Sequence, residues 1–185
     1  MPLRMAWRLV MGVLLGLAPS VQAAPADAAR LKAFEAQLEA HASATQVLQA
    51  WCDAHAPGTR IIAHQVQTQA IAPTEDARAA LKIEPGEEVR YRRVQLKCGN
   101  RILSNADNWY LPGKITPAMN DTLDKTETPF GVAVAGLHFR RHNLATRLLP
   151  PRGPSVLTHS AVLVTDKNEP FSFVVETYTK AILGK

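Results

Sequence analysis

The spacing of apolar positions changes along this chain, and each change marks an element. Residues 9–17 are an apolar run interrupted only by Gly12 and Gly16. Farther on, Leu31, Phe34 and Leu38 recur at intervals of three and four, the period of one helical face, which predicts a helix over residues 24–42. A second helix is predicted from Ser43, because Ser43-Ala44-Thr45-Gln46 has the hydroxyl and the glutamine three residues on that make a capping box. Val47, Leu48 and Trp51 give that helix its apolar stripe, and Pro57-Gly58 stops it. Residues 60–69, with Ile62 and Val66 among polar neighbours, read as a strand, and residues 74–83 as a short crossover helix closed by Pro85-Gly86. Residues 88–98 and 101–111 flank Gly99-Asn100, a strong two-residue hairpin signal. A short helix over 116–125 follows, then an extended stretch over 139–148 and a rigid link at Pro150-Pro151-Arg152-Gly153-Pro154. Residues 156–165 and 170–182 form a closing hairpin around Asp166-Lys167-Asn168-Glu169. Strands in succession, with helices gathered at the front and in short crossovers, predict an α+β domain built on a mainly antiparallel sheet of about six strands with helices packed against it.

Charge changes the reading of the first apolar run. Arg4 and Arg8 precede it and Val21-Gln22-Ala23 follows it, the pattern of a signal peptide cut after Ala23. The run is shorter than the roughly 20 residues that cross a bilayer. The expectation is a periplasmic or secreted protein with no membrane attachment after cleavage. Residues 24–185 then form one domain, helical over 24–57 and sheet-rich over 58–185. The leader holds two arginines and no acids, so its removal lowers the formal net charge from +5 to +3. That charge over such a length does not call for a nucleic-acid partner. Cys52 and Cys98 are the only cysteines. In an oxidising compartment they read as a disulfide, with two buried free thiols as the other state. The bond would close a loop of roughly 45 residues and contribute about 3–4 kcal/mol in the chain-entropy picture.

Candidate chemistry comes from groups able to hold a small organic acid. The helix start at Ser43 offers unbonded N–H groups, that of Ala44 among them, at the positive end of a helix dipole. Arg93, on a predicted strand, offers a planar fork that matches a carboxylate, and a one-residue register slip would put Arg92 there instead. The turn Thr128-Pro129-Phe130-Gly131 can donate the Phe130 N–H, and Glu176 near the end of the last strand can accept from a hydroxyl or handle a proton. His138 and His142 lie on one face of an extended segment with two arginines between them, and no metal site is read there. No nucleophile elbow is recognisable.

In order and spacing these pieces resemble the chorismate pyruvate-lyase family and its relatives of the same fold, over residues 43–182. The likeness lies in Arg90-Tyr91-Arg92-Arg93-Val94-Gln95-Leu96-Lys97-Cys98, in Tyr110-Leu111-Pro112, and in Thr128-Pro129-Phe130-Gly131 after a short helix. It extends to Val175-Glu176-Thr177-Tyr178 in the final hairpin and to Ser43-Ala44-Thr45 at the helix start. The family's glycine-rich acidic turn is here Cys98-Gly99-Asn100-Arg101. The resemblance implies that Arg93 grips an aromatic carboxylate with the amides of Ala44 and Phe130, and that Glu176 stands near the oxygen substituent at the ligand's other end. It implies release of pyruvate from chorismate or a related enol-pyruvyl acid to leave 4-hydroxybenzoate, without metal or organic cofactor. Arg93 and Glu176 would then be the catalytic pair. The same fold also serves as an effector-sensing module in transcription regulators, so the alternative is a non-catalytic periplasmic binder of a small aromatic or acidic metabolite.

Overall fold

The computed structural model describes residues 23–184. The leader reading therefore lies outside the described residues, except at its last position. Two helices open the chain, α1 (Ala23–Ala40) and α2 (Ala44–His55), followed by strand β1 (Ile61–Gln65) and helix α3 (Glu75–Leu81). The long hairpin β2 (Arg90–Cys98) and β3 (Arg101–Tyr110) comes next, then helices α4 (Pro117–Lys125) and α5 (Phe130–Ala133). Strands β4 (Arg140–Leu148), β5 (Ser155–Val164) and β6 (Pro170–Thr179) complete the chain, with a short 3-10 turn at Lys180–Leu183. All six strands join one sheet in the order β1-β2-β3-β6-β5-β4, and every neighbouring pair is antiparallel. Among the described residues no helix is long and apolar enough to cross a membrane.

The two sheet faces bury different residues, as the period of a strand requires. On one face Val94, Leu96, Ala106, Ala161, Val174 and Tyr178 pack with Phe34, Leu38, Val47 and Leu48 of α1 and α2. On the other, Trp109 and Phe173 pack against Ala77 and Leu81 of α3. The β2–β3 turn is two residues long, and Gly99 takes a φ of 56° there, the left-handed value that a glycine-first hairpin turn needs. Cys52 and Cys98 are bonded, with Cα atoms 5.7 Å apart, which fastens the middle of α2 to the end of β2.

Several local expectations are corrected. The first strand stops at Gln65 rather than running to residue 69, and the last gives way to the 3-10 turn after Thr179. The Thr128-Pro129-Phe130-Gly131 segment is the entry to α5 rather than a free turn, with Pro129 at the cap position. Ser43 stands at the N-cap of α2 without a side-chain capping bond, whereas the Thr74 and Thr116 hydroxyls do cap α3 and α4. The capping box read at Ser43 is therefore absent, and the start of α2 keeps its unbonded N–H groups.

Candidate functional site

Where α2 and α5 meet over the sheet they enclose a space of about 50 Å³, enough for a few water molecules. Its floor is formed by Arg92 and Val94 of β2, Ala106 and Asn108 of β3, and Ser172, Val174 and Glu176 of β6. Arg141 and Leu163 reach it from β4 and β5, and its roof is the start of α2, Phe130, Gly131 and Phe139. The Phe130 ring packs on Tyr110 with centroids 5.4 Å apart, which anchors the start of α5 over the sheet. A β-carbon at Gly131 would lie 2.8 Å from Ser43 Oγ. Glycine is needed there for close approach, and it lets the beginnings of the two helices converge. The first N–H groups of each, including those of Ala44 and Phe130, have no carbonyl one turn back to accept them.

Arg92 is the central cation. It is 7% exposed. Its Nη2 donates to Thr128 O at 3.3 Å, its Nε has no partner, and it forms no ion pair among the described residues. Burial pushes its guanidinium below the usual arginine value, against the pull of Tyr110 and Asp124. A buried, uncompensated arginine is costly, and its natural complement is an anion.

Arg93, read from sequence as the gripping arginine, is on the opposite face. Successive strand residues alternate, and β2 buries Arg92, Val94, Leu96 and Cys98 in phase. Arg93 faces outward with its side chain 41% exposed, and its Nε lies 3.4 Å from Asp107 Oδ1, an oxygen that also accepts from the Tyr91 hydroxyl. Desolvation beside Asp107 drives that tyrosine up to about 12. The structure thus brings Ala44, Phe130 and Glu176 together at the cavity and leaves Arg93 out.

The far wall carries a buried polar network. Glu176 Oε2 accepts from Arg141 Nη2 at 2.7 Å and from the Tyr178 hydroxyl at 2.9 Å. Burial opposes the Arg141 charge, but Glu176 and Tyr178 more than offset it and hold the guanidinium above its ordinary value. The Tyr178 hydroxyl is pushed well up by complete burial and by the carboxylate beside it. His159 Nδ1 lies 3.0 Å from Arg141 Nη2. Burial first, and the Arg141 charge second, depress the imidazole below its usual value. Arg141 and His159 were not singled out from sequence as site residues. Arg141 sits on an exposed edge strand without clear alternation, and its partner Glu176 is 35 positions away. His138 and His142 are both exposed, and among the described residues no His, Cys, Asp and Glu cluster could hold a metal ion.

Antiparallel six-stranded architecture with helices over one face and α3 on the other defines an α+β domain of the chorismate lyase-like fold class. The effector domain of PhnF from Mycobacterium smegmatis superposes with a TM-score of 0.56 at 12% identity, covering 76% of this chain and 90% of that one. The longer PhnF structure from the same organism gives 0.55 at 13% identity over 76% of this chain and 65% of its own length. YydK from Bacillus subtilis, described as a possible transcriptional regulator, gives 0.49 at 13% identity, and the match spans 68% of this chain and 60% of YydK. At these identities the likeness to the two PhnF structures is one of fold alone. No family model matches the chain. In sequence it belongs to the family of "Uncharacterized protein y4mC" from Sinorhizobium fredii, with 40% identity over 179 residues that cover 83% of this chain and 75% of that protein.

Proposed function

We propose that this protein binds a small organic acid in the cavity beneath α2 and α5, with the carboxylate held by Arg92 and by the amides of Ala44 and Phe130. The observation that carries this reading is Arg92 itself, buried, without an ion-pair partner among the described residues and with Nε unsatisfied. Of the charged side chains lining the cavity, Arg141 and Glu176 cancel one another and Arg92 is left over. A monoanion therefore fits the charge balance better than a dianion. Among the described residues Oε1 of Glu176 accepts no hydrogen bond, so the far wall offers an acceptor to a ligand hydroxyl. Phe130, Phe139, Leu163 and Val174 supply apolar contact between the two ends, which suits an aromatic or similarly flat acid.

A second reading, lysis of chorismate or a related enol-pyruvyl acid, draws on Glu176 sharing the cavity with a carboxylate-binding arginine. The binding reading is preferred because Glu176 is already engaged by Arg141 and Tyr178 through one oxygen, an arrangement that suits an acceptor more than a proton donor. The leader sequence and the Cys52–Cys98 bond support a periplasmic or secreted location, and the shared sheet supports a single domain over residues 24–185. Incubation with chorismate, followed by a pyruvate assay, and calorimetric titration with 4-hydroxybenzoate separate the readings. Retained affinity with no pyruvate release is the outcome expected. Catalytic pyruvate release abolished in Glu176→Gln would favour the lyase.

A further inference from the structure

Behind the cavity wall lies a buried group that carboxylate binding at Arg92 does not use. His159 of β5 is 1% exposed, and the strand register sets it beside Glu176 on β6 and opposite Thr146 on β4. Its Nδ1 lies 3.0 Å from Arg141 Nη2, and its Nε2 has no partner. Guanidinium nitrogens only donate, so Nδ1 is the acceptor and the ring proton sits on Nε2. The charged and titratable groups around the ring are Arg141 from β4, Glu176 and its partner Tyr178 from β6, and Glu39 from α1. Arg141 is held at three points: Nη2 on His159 and on Glu176, and Nε on Asn143 Oδ1 at 3.0 Å.

We infer that His159 is the positioning residue for Arg141, and that its protonation closes the cavity to an acid. A proton on Nδ1 turns an acceptor into a donor aimed at another donor. It also sets two cations 3.0 Å apart in a wall from which water is excluded. The imidazole is 1% exposed and packed on all sides, whereas the Arg141 side chain lines the cavity. The guanidinium therefore moves into a volume of about 50 Å³ and occupies the room the ligand needs. Ligand and proton compete, and affinity for the acid falls as the solution is acidified. Burial and the Arg141 charge hold the imidazole below its ordinary value, so closure begins on the acid side of the usual histidine range. The inference deepens the acid-binding reading and rests on it for the nature of the ligand.

Two measurements test it, one of them without any ligand. In full-length protein carrying 15N-labelled histidine and arginine, long-range correlation spectra should show His159 neutral and protonated on Nε2 at pH 7. On acidification the Arg141 Nε signal should shift with the same midpoint as the His159 ring. A proton on Nδ1 at pH 7, a charged ring, or an Arg141 signal indifferent to that titration overturns the positioning role. Calorimetric titration with 4-hydroxybenzoate from pH 7.5 down through the His159 midpoint found in the spectra should then show affinity falling in the wild type. His159→Gln, which keeps an acceptor and cannot titrate, should bind with flat pH dependence. His159→Phe should be flat and about tenfold weaker at pH 7.5, the scale of a lost charge-assisted bond. A wild-type slope that persists in His159→Gln rejects the closure. If 4-hydroxybenzoate fails to bind at any pH, the acid-binding reading fails by itself, and the nitrogen spectra still decide whether His159 positions Arg141.

Discussion

Arg92 and Arg141 illustrate two fates of a buried arginine. Arg141 has Glu176 as its counter-charge, and removing one member of such a pair leaves the other desolvated and uncompensated. Glu176→Gln should therefore destabilise the fold by about 3–5 kcal/mol in urea denaturation, whatever it does to ligand affinity. Arg92 has no ion pair to lose among the described residues, only the electrostatic pull of Asp124. Its replacement by methionine, similar in length and apolar, should raise the melting temperature, with a gain on the order of 1 kcal/mol or more. A residue whose removal stabilises the protein but weakens ligand affinity is held for binding. His159 adds a pH dependence with a defined sign. Its imidazole is depressed in the native state and titrates near its ordinary value of about 6.5 when unfolded. Below that value the unfolded chain binds a proton that the native chain does not, so this contribution is complete above about pH 6.5 and is lost as the pH falls toward the native value. Denaturation at pH 7.5 and 5.5 should show a smaller pH effect in His159→Gln than in the wild type. Much of the site was legible at this scale, because Ala44, Phe130 and Glu176 all reach the cavity. What sequence left open was which arginine of Arg92-Arg93 faces inward. Both have the same chemistry, and only the phase of β2 against the buried Val94, Leu96 and Cys98 decides between them.

At the scale of elements, the cavity depends on two helix starts brought close together. Gly131 permits the contact with Ser43, and Gly131→Ala would place a methyl group 2.8 Å from Ser43 Oγ, closer than van der Waals contact allows. That substitution should push α5 off α2 and weaken acid binding much more than it lowers stability. Adding Ser43→Ala, which removes the obstructing oxygen, should restore a large part of the affinity. A double-mutant cycle with calorimetric readout measures that coupling. If the two substitutions act additively, the helix contact does not shape the site. The hairpins and helices were readable from period and turn residues, since Gly99-Asn100 and the stripe on α2 are local signals. The short helix α5 was not. A turn opened by proline and a single helical turn share the same first residues, and the outcome depends on the packing of Phe130 against Tyr110 and Phe171. Arg141 escaped notice because its strand is paired on one side only and exposed along most of its length, which removes the alternation that marks a buried face.

Across the whole molecule, one covalent tie joins the helical layer to the sheet. Cys52 and Cys98 are 46 positions apart, and their bond restrains the unfolded chain while fixing α2, whose start forms the cavity roof. Reduction should lower stability by about 3–4 kcal/mol and reduce acid affinity along with it. Thiol titration of the denatured protein, before and after reduction, establishes the redox state to which each melting curve belongs. The α+β class and the antiparallel sheet followed from the succession of strands, but the placing of β6 between β3 and β5 depends on contacts between residues far apart in the chain. That placing makes the site, because it sets Glu176 midway between Arg92 and Arg141 in the strand order. Everything proposed for the cavity turns on a buried, unpaired Arg92 holding the carboxylate of a small acid. The most direct test is calorimetric titration of wild type, Arg92→Met and Arg93→Ala with 4-hydroxybenzoate at pH 7.5. Wild type and Arg93→Ala should bind alike, while Arg92→Met should bind about ten- to a hundredfold more weakly. Undiminished affinity in Arg92→Met, or its loss in Arg93→Ala instead, would contradict the account.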